Sequence, residues 1–136
     1  MKEAKYKALM DKAKEAAGKS YSPYSGFAVG SAVLARGGKI YTGTNIENAS
    51  YNLTNCAERT ALFNAVSGGA KRIAAVAIWT ESGDVFPCGS CRQVISELAP
   101  DADIVVNSSD GQLIVIPAKE LLPFAFGSKN LKISKS

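Results

Sequence analysis

Between residues 2 and 17, Ala4, Ala8, Leu9, Ala13 and Ala16 recur at helical spacing, with Lys12 on the same face. They make a weakly apolar stripe along a charged segment, the pattern of an amphipathic helix, and Gly18 is a natural stop. The turn-rich run SYSPYSG at 20–26 follows, then FAVGSAVLA at 27–35, whose near-continuous apolar character reads as a buried strand. Gly37-Gly38 is a hairpin signal, with residues 39–43 as the return strand. The polar stretch Thr44–Asn55 is long for a connector and rich in side chains able to bind something. CAERTALFNAVS at 56–67 reads as a helix ended by Gly68-Gly69, and RIAAVAIWT at 72–80 as a second buried strand. A loop with Gly83 and Pro87 leads into CGSCRQVISEL, a helix stopped before Pro100. Asp103–Asn107 and Leu113–Ile116 are short strands around an Asp110-Gly111 turn. Pro117 opens a short last helix, AKELL. The tail FAFGSKNLKISKS is expected to end in a mobile segment.

The predicted order is α-β-β-α-β-α-β-β. One sheet of about five strands with helices on its faces is an α/β layered sandwich. At 136 residues and 46% hydrophobic composition the chain fits a single domain, 1–136, with a core of its own and no need of disulfide staples. The formal charge of +4 is mild. Lys2, Lys5, Lys7, Lys12, Lys14 and Lys19 are spread along the N-terminal segment, so they read as a solvated helix face and not as a nucleic-acid patch. No apolar run reaches membrane-spanning length, and residues 1–20 lack the apolar stretch of a secretory signal. Three cysteines make an odd number, which argues against a disulfide framework and predicts a reducing, cytoplasmic setting.

Candidate chemistry lies in those cysteines. The sequence has no histidine, which excludes every mechanism built on a His base or ligand. Cys56 opens one central helix; Cys88 and Cys91 open the other and, three apart, share a helix face. A helix N-terminus lowers a thiol's pKa and favours the metal-binding thiolate. Three protein ligands leave a tetrahedral zinc one open position, the catalytic arrangement. Glu58, two residues after Cys56, can complement the helix dipole, and beside an open metal position it can also carry protons to a substrate nitrogen. Three thiolates around a zinc ion leave a net charge of −1. The two helix N-termini offset part of this, and Arg59 is either a surface charge or a hydrogen-bond donor to cysteine sulfur.

Asn55–Arg59 (NCAER) and Pro87–Gln93 (PCGSCRQ) together resemble the zinc-dependent cytidine deaminases, whose signature includes a three-cysteine variant. Tyr24–Phe27 (YSGF), Asn45–Asn48 (NIEN) and Leu121–Phe126 (LLPFAF) are similar to further segments of the small homotetrameric class, so the resemblance covers nearly the whole chain. It implies a three-layer α/β/α sandwich on one mixed five-stranded sheet, and hydrolytic deamination of cytidine and 2′-deoxycytidine to the uridine nucleosides in pyrimidine salvage. It also implies one Zn2+ per chain on Cys56, Cys88 and Cys91, with Glu58 as proton shuttle and Arg59 neutralising the thiolates. Phe27 resembles the aromatic that packs on the base, and Asn45 and Glu47 the pair that holds the ribose 3′-hydroxyl. The backbone of Ala57 and Cys88 would complete the pocket, and Ala49, Tyr51 and Phe126 resemble residues that reach a neighbouring subunit's site.

Three other readings compete. A deaminase for a cytosine-bearing antibiotic of the blasticidin S type would share the zinc motifs, although NIEN favours a free nucleoside. An editing deaminase acting on polynucleotide is disfavoured by the modest charge and the lack of inserted basic or aromatic segments. A zinc-ribbon binding module needs four closing ligands, and the chain supplies three cysteines and no histidine. The expected partner is therefore a small nucleoside, with no stable nucleic-acid partner and no membrane.

Overall fold

The computed structural model describes residues 2–131. The end of the tail, expected to be mobile, lies outside the described residues. Elements follow in the order α1 (Lys2–Ala17), β1 (Val29–Ala35), β2 (Ile40–Thr44), α2 (Ala57–Ser67), β3 (Ile73–Thr80), α3 (Gly89–Leu98), β4 (Asp103–Asn107) and β5 (Leu113–Pro117). The strands form one sheet in the order β2-β1-β3-β4-β5. Only β3 and β4 run parallel, with Ala75 opposite Asp103 and Ile78 opposite Val106; the other neighbours are antiparallel. The sheet is therefore mixed, as expected. The one parallel pair requires a crossover, and α3 supplies it.

Side-chain alternation splits the core into two layers. Val33, Val76, Ile78, Ile104 and Val106 face α2 and α3, packing against Ala61, Leu62 and Ile95. Ala32, Leu34, Ala75, Ala77 and Val105 face α1. The second set is small, which lets α1 lie close. The closest approach is at Gly30, where an added Cβ would sit 1.8 Å from the Ala13 carbonyl oxygen. Gly43 does the same for α2, since a Cβ there would lie 2.4 Å from the Ala61 nitrogen. These two glycines set the layer spacing of the three-layer sandwich.

Three expectations need correction. The buried face of α1 is Tyr6, Leu9, Met10, Ala13, Ala16 and Ala17, while Ala4, Ala8 and Lys12 are exposed. Tyr6 and Met10 bury far more area than an alanine can, and together they turn the helix toward themselves. The strand expected from Phe27 begins at Val29, because the Asn45 side chain takes the Phe27 carbonyl and the Val29 N–H in place of strand pairing. The helix expected over AKELL is a single 3-10 turn, Ala118–Glu120, and a further 3-10 turn follows at Ser128–Leu131. Pro123 disfavours helical backbone at Leu122, and Phe124 then takes a left-handed φ of 56°.

Candidate active site

Strand β2 and strand β3 end at the same edge of the sheet, and the helices that follow them begin there. Cys56 is the N-cap of α2 and Cys88 the N-cap of α3. Neither thiol is used as a cap hydrogen bond, so both remain free to ligate. Cys91, one turn into α3, is fully buried. The sulfurs of Cys56 and Cys88 are 3.9 Å apart and those of Cys88 and Cys91 3.5 Å, with all three inside 4.8 Å of one another. These gaps are far beyond a disulfide's S–S length of about 2.05 Å. A zinc ion held by sulfurs at about 2.3 Å and tetrahedral angles needs S–S edges of about 3.8 Å. The Cys56–Cys88 and Cys88–Cys91 edges lie close to that length. Among the described residues it is the one His/Cys/Asp/Glu group gathered closely enough to hold a metal.

The electrostatics favour a thiolate at Cys56. The Cys56 thiol is pulled down to about 5, first by the hydrogen bond it accepts from Cys91 and then by the Arg59 guanidinium. Cys91 moves the other way, because it donates that hydrogen bond and is buried. The Arg59 Nη2 donates to Cys56 Sγ at 3.3 Å. Arg59 Nε is buried and makes no hydrogen bond among the described residues. The expected choice between surface charge and sulfur donor thus falls to the donor. Glu58, in the first turn of α2, is only 5% exposed. Burial raises its carboxyl above the usual carboxylate range, and the Cys56 charge adds to this. A buried carboxyl raised in this way is better suited to proton exchange than an exposed one. Ala57 is wholly buried between the two.

The remaining candidate residues fall into two groups. Asn45, Glu47, Phe27 and Tyr51 lie on segments tied to one another. Asn45 is buried, donates from Nδ2 to the Phe27 carbonyl at 2.7 Å and accepts from the Val29 N–H and the Ser20 hydroxyl. Glu47 accepts from the Tyr24 and Ser25 N–H groups and from the Ser25 hydroxyl, and these bonds lower its pKa, the Ser25 hydroxyl most. Tyr51 meets Tyr24 edge-on with ring centroids 6.5 Å apart. Tyr24, Ser25, Glu47, Asn48, Tyr51 and Thr54 line a cavity of about 320 Å³. Phe27 does not line it; its ring borders a separate cleft with Trp79 and Lys14. Ala49 and Phe126 are exposed in the single chain.

Ser20, Ser25, Arg92 and Gln93 are site-supporting residues that sequence reasoning missed. Arg92 donates to the Pro87 carbonyl at 2.8 Å and to the Leu121 carbonyl at 3.1 Å, and Gln93 to the Phe126 carbonyl at 2.9 Å. The turn before Cys88 and the C-terminal segment are therefore fastened to the same helix. Arg92 and Gln93 stand inside PCGSCRQ and Ser25 inside YSGF, which were the available signals, whereas Ser20 carries none.

Residues 3–107 match the family model described as the cytidine and deoxycytidylate deaminase zinc-binding region. The chain is 46% identical over 125 residues to a cytidine deaminase of Halalkalibacterium halodurans, covering 90% of this chain and 95% of that one. It is 39% identical over 134 residues to a cytidine deaminase of Mycobacterium tuberculosis, covering 96% of each. The crystal structure of cytidine deaminase from Burkholderia pseudomallei superposes with a TM-score of 0.85 at 47% identity, over 89% of this chain and 98% of that one.

Proposed function

The chain belongs to the zinc-dependent cytidine deaminases, and on that premise we propose that it converts free cytidine and 2′-deoxycytidine to uridine and 2′-deoxyuridine, releasing ammonia, in pyrimidine salvage in the cytoplasm. The observation that carries the reading is the meeting of Cys56, Cys88 and Cys91 beside a buried Glu58 whose carboxyl burial raises above its ordinary range.

Zinc held by the three sulfurs supplies Lewis-acid activation of a water molecule. Glu58 would be the residue that takes a proton from the attacking water and delivers it to the pyrimidine N3 as the water oxygen bonds to C4. A second proton passing through Glu58 to the 4-amino nitrogen lets the C4–N bond break and ammonia leave. One water is consumed and the ring keeps its ring nitrogens, so cytidine and water balance against uridine and ammonia. Arg59 draws charge from Cys56 sulfur, which would leave a zinc ion held there a stronger acid than three uncompensated thiolates would.

Asn45 retains one N–H beyond the bond to Phe27, and Glu47 is already fixed by the 24–25 turn, so both are ordered before the ribose 3′-hydroxyl arrives. Phe27 packs on the base through the face left open to solvent. The backbone of Ala57 and Cys88 closes the pocket. Assembly as a homotetramer brings Ala49, Tyr51 and Phe126 to a neighbouring chain's site. The support is that Tyr51 is 77%, Phe126 58% and Phe124 fully exposed in the single chain. Aromatics so placed are at home in an interface. The modest charge supports a small nucleoside over a polynucleotide.

The test is an ultraviolet assay of zinc-loaded protein with cytidine, deoxycytidine, cytosine, CMP and blasticidin S. Conversion of the two nucleosides with little or none of the others is expected. Preference for blasticidin S, or no turnover of cytidine, would overturn the reading.

A further inference from the structure

The connection from β3 to α3, residues 81–87, delivers both Cys88 and Cys91, yet it has no regular structure of its own. What fixes it is the far end of β4. The parallel β3–β4 ladder stops at the Ile78–Val106 pair. One step further, the side chain of Asn107 replaces the ladder. Its Oδ1 accepts from the Thr80 N–H at 3.1 Å, and its Nδ2 donates to the Thr80 carbonyl at 2.7 Å. Its own main-chain carbonyl accepts from the Asp84 N–H at 2.8 Å, inside the connection. The buried Thr80 hydroxyl in turn accepts from the Gly83 N–H at 3.0 Å. One residue thus secures the point where the chain leaves the sheet and the turn that leads to the sulfurs.

A carboxamide is the one side-chain type that can imitate a peptide group here, giving and accepting one hydrogen bond side by side. Aspartate would set an oxygen against the Thr80 carbonyl. Glutamine would carry the amide one methylene too far. Among the described residues Asn107 hydrogen-bonds to Thr80 and Asp84 and to none of Phe27, Asn45, Glu47 and Tyr51.

We propose that Asn107 is a positioning residue for the zinc centre: by splinting the end of β3 to the connection it sets where Cys88 and Cys91 stand relative to Cys56. This rests on the three cysteines holding zinc, and its effect on turnover rests also on the deaminase reading. Disturbing Asn107 should change the metal and the chemical step while leaving nucleoside binding alone. Partners acting through metal ligands are worth roughly 10–100-fold in metal affinity or activity, and Asn107 acts at one further remove, so the lower end is expected.

The experiment compares the parent, Asn107→Asp, Asn107→Gln and Tyr6→Phe. The last loosens the opposite end of β4, where the Tyr6 hydroxyl donates to Asp103 at 2.6 Å, and serves as a control for lost stability alone. Zinc release from the holoprotein to 4-(2-pyridylazo)resorcinol is followed well below the unfolding temperature. The sulfur-to-metal and d–d bands are recorded for the cobalt-substituted proteins. Both Asn107 variants should release zinc about 10-fold faster, shift the cobalt bands, and lower kcat with KM unchanged; Tyr6→Phe should do none of these. Cobalt bands and zinc release matching the parent in both Asn107 variants would overturn the proposal, whatever happens to the melting temperature. The metal readouts need no deamination, so a protein that held zinc but left cytidine unchanged would refute the proposed function and not this one.

Discussion

Replacing Arg59 by alanine isolates the charge balance of the metal centre. Its Nη2 lies 3.3 Å from Cys56 Sγ, and a hydrogen bond to a charged group contributes roughly 1.5–3 kcal/mol. At about 1.4 kcal/mol per tenfold change, zinc affinity should fall by about 10- to 100-fold, which agrees with the range for other groups that act through metal ligands. The same loss has a pH signature. Arg59 helps to hold the Cys56 thiol down at about 5, together with Cys91, whose hydrogen bond is the larger cause. Without the guanidinium the folded pKa rises, and ligation needs the thiolate. As pH falls, the variant should therefore lose zinc at a higher pH than the parent. Stability of the metal-free fold should change little, because the substitution also removes the buried Nε that has no partner among the described residues. The assay is competition with a chromophoric chelator across pH 5 to 8, with a metal-free melting curve alongside. Arg59→Lys should fall between parent and alanine, since it keeps charge but not the planar donor. Equal zinc affinity and an unshifted pH profile in Arg59→Ala would show that the contact with Cys56 does not stabilise the centre.

Glu58→Gln should keep its zinc and lose at least about 10²–10⁴-fold in kcat, read by metal analysis and steady-state kinetics; activity within a few-fold of parent would remove Glu58 from proton transfer. Gly43→Ala should destabilise the fold by about 1–3 kcal/mol, seen as a lower Tm, because the new methyl meets α2 backbone that cannot move aside. The Tyr6 hydroxyl titrates at about 12 instead of 10.0, chiefly through burial. Its contribution is complete below pH 10 and drains away as pH rises toward 12, so the alkaline fall in stability should be shallower in Tyr6→Phe by denaturant titration. Co-expressing Glu58→Gln with Phe126→Ala chains should restore part of the activity if sites are shared between subunits, whereas activity no greater than either variant alone would argue for self-contained sites.

How far the site is legible in the sequence depends on what holds each part. The cysteines and Glu58 are readable because both ends of their helices are marked locally, the ends by Gly68-Gly69 and Pro100 and the starts by a cysteine at each N-cap. The strands are readable because their runs are apolar and β-branched. Strand order is not, since β1 pairs with both β2 and the distant β3, and only packing decides that. The face of α1 is misjudged when alanines are counted equally with Tyr6 and Met10. Asn45 and Asn107 show the limit most clearly. Each extends a strand pairing with its side-chain amide, and an asparagine at the end of a strand looks the same in sequence whether it splints a neighbour or merely turns the chain.

The central claim is a zinc ion on three cysteine sulfurs with one position left for chemistry. X-ray absorption at the zinc edge of the holoprotein measures it directly. The account predicts one zinc per chain with three sulfurs at about 2.3 Å and one oxygen or nitrogen at about 2.0 Å, and the loss of a sulfur in Cys88→Ser. Four sulfurs around the metal, or full deamination by protein carrying no zinc, would contradict it.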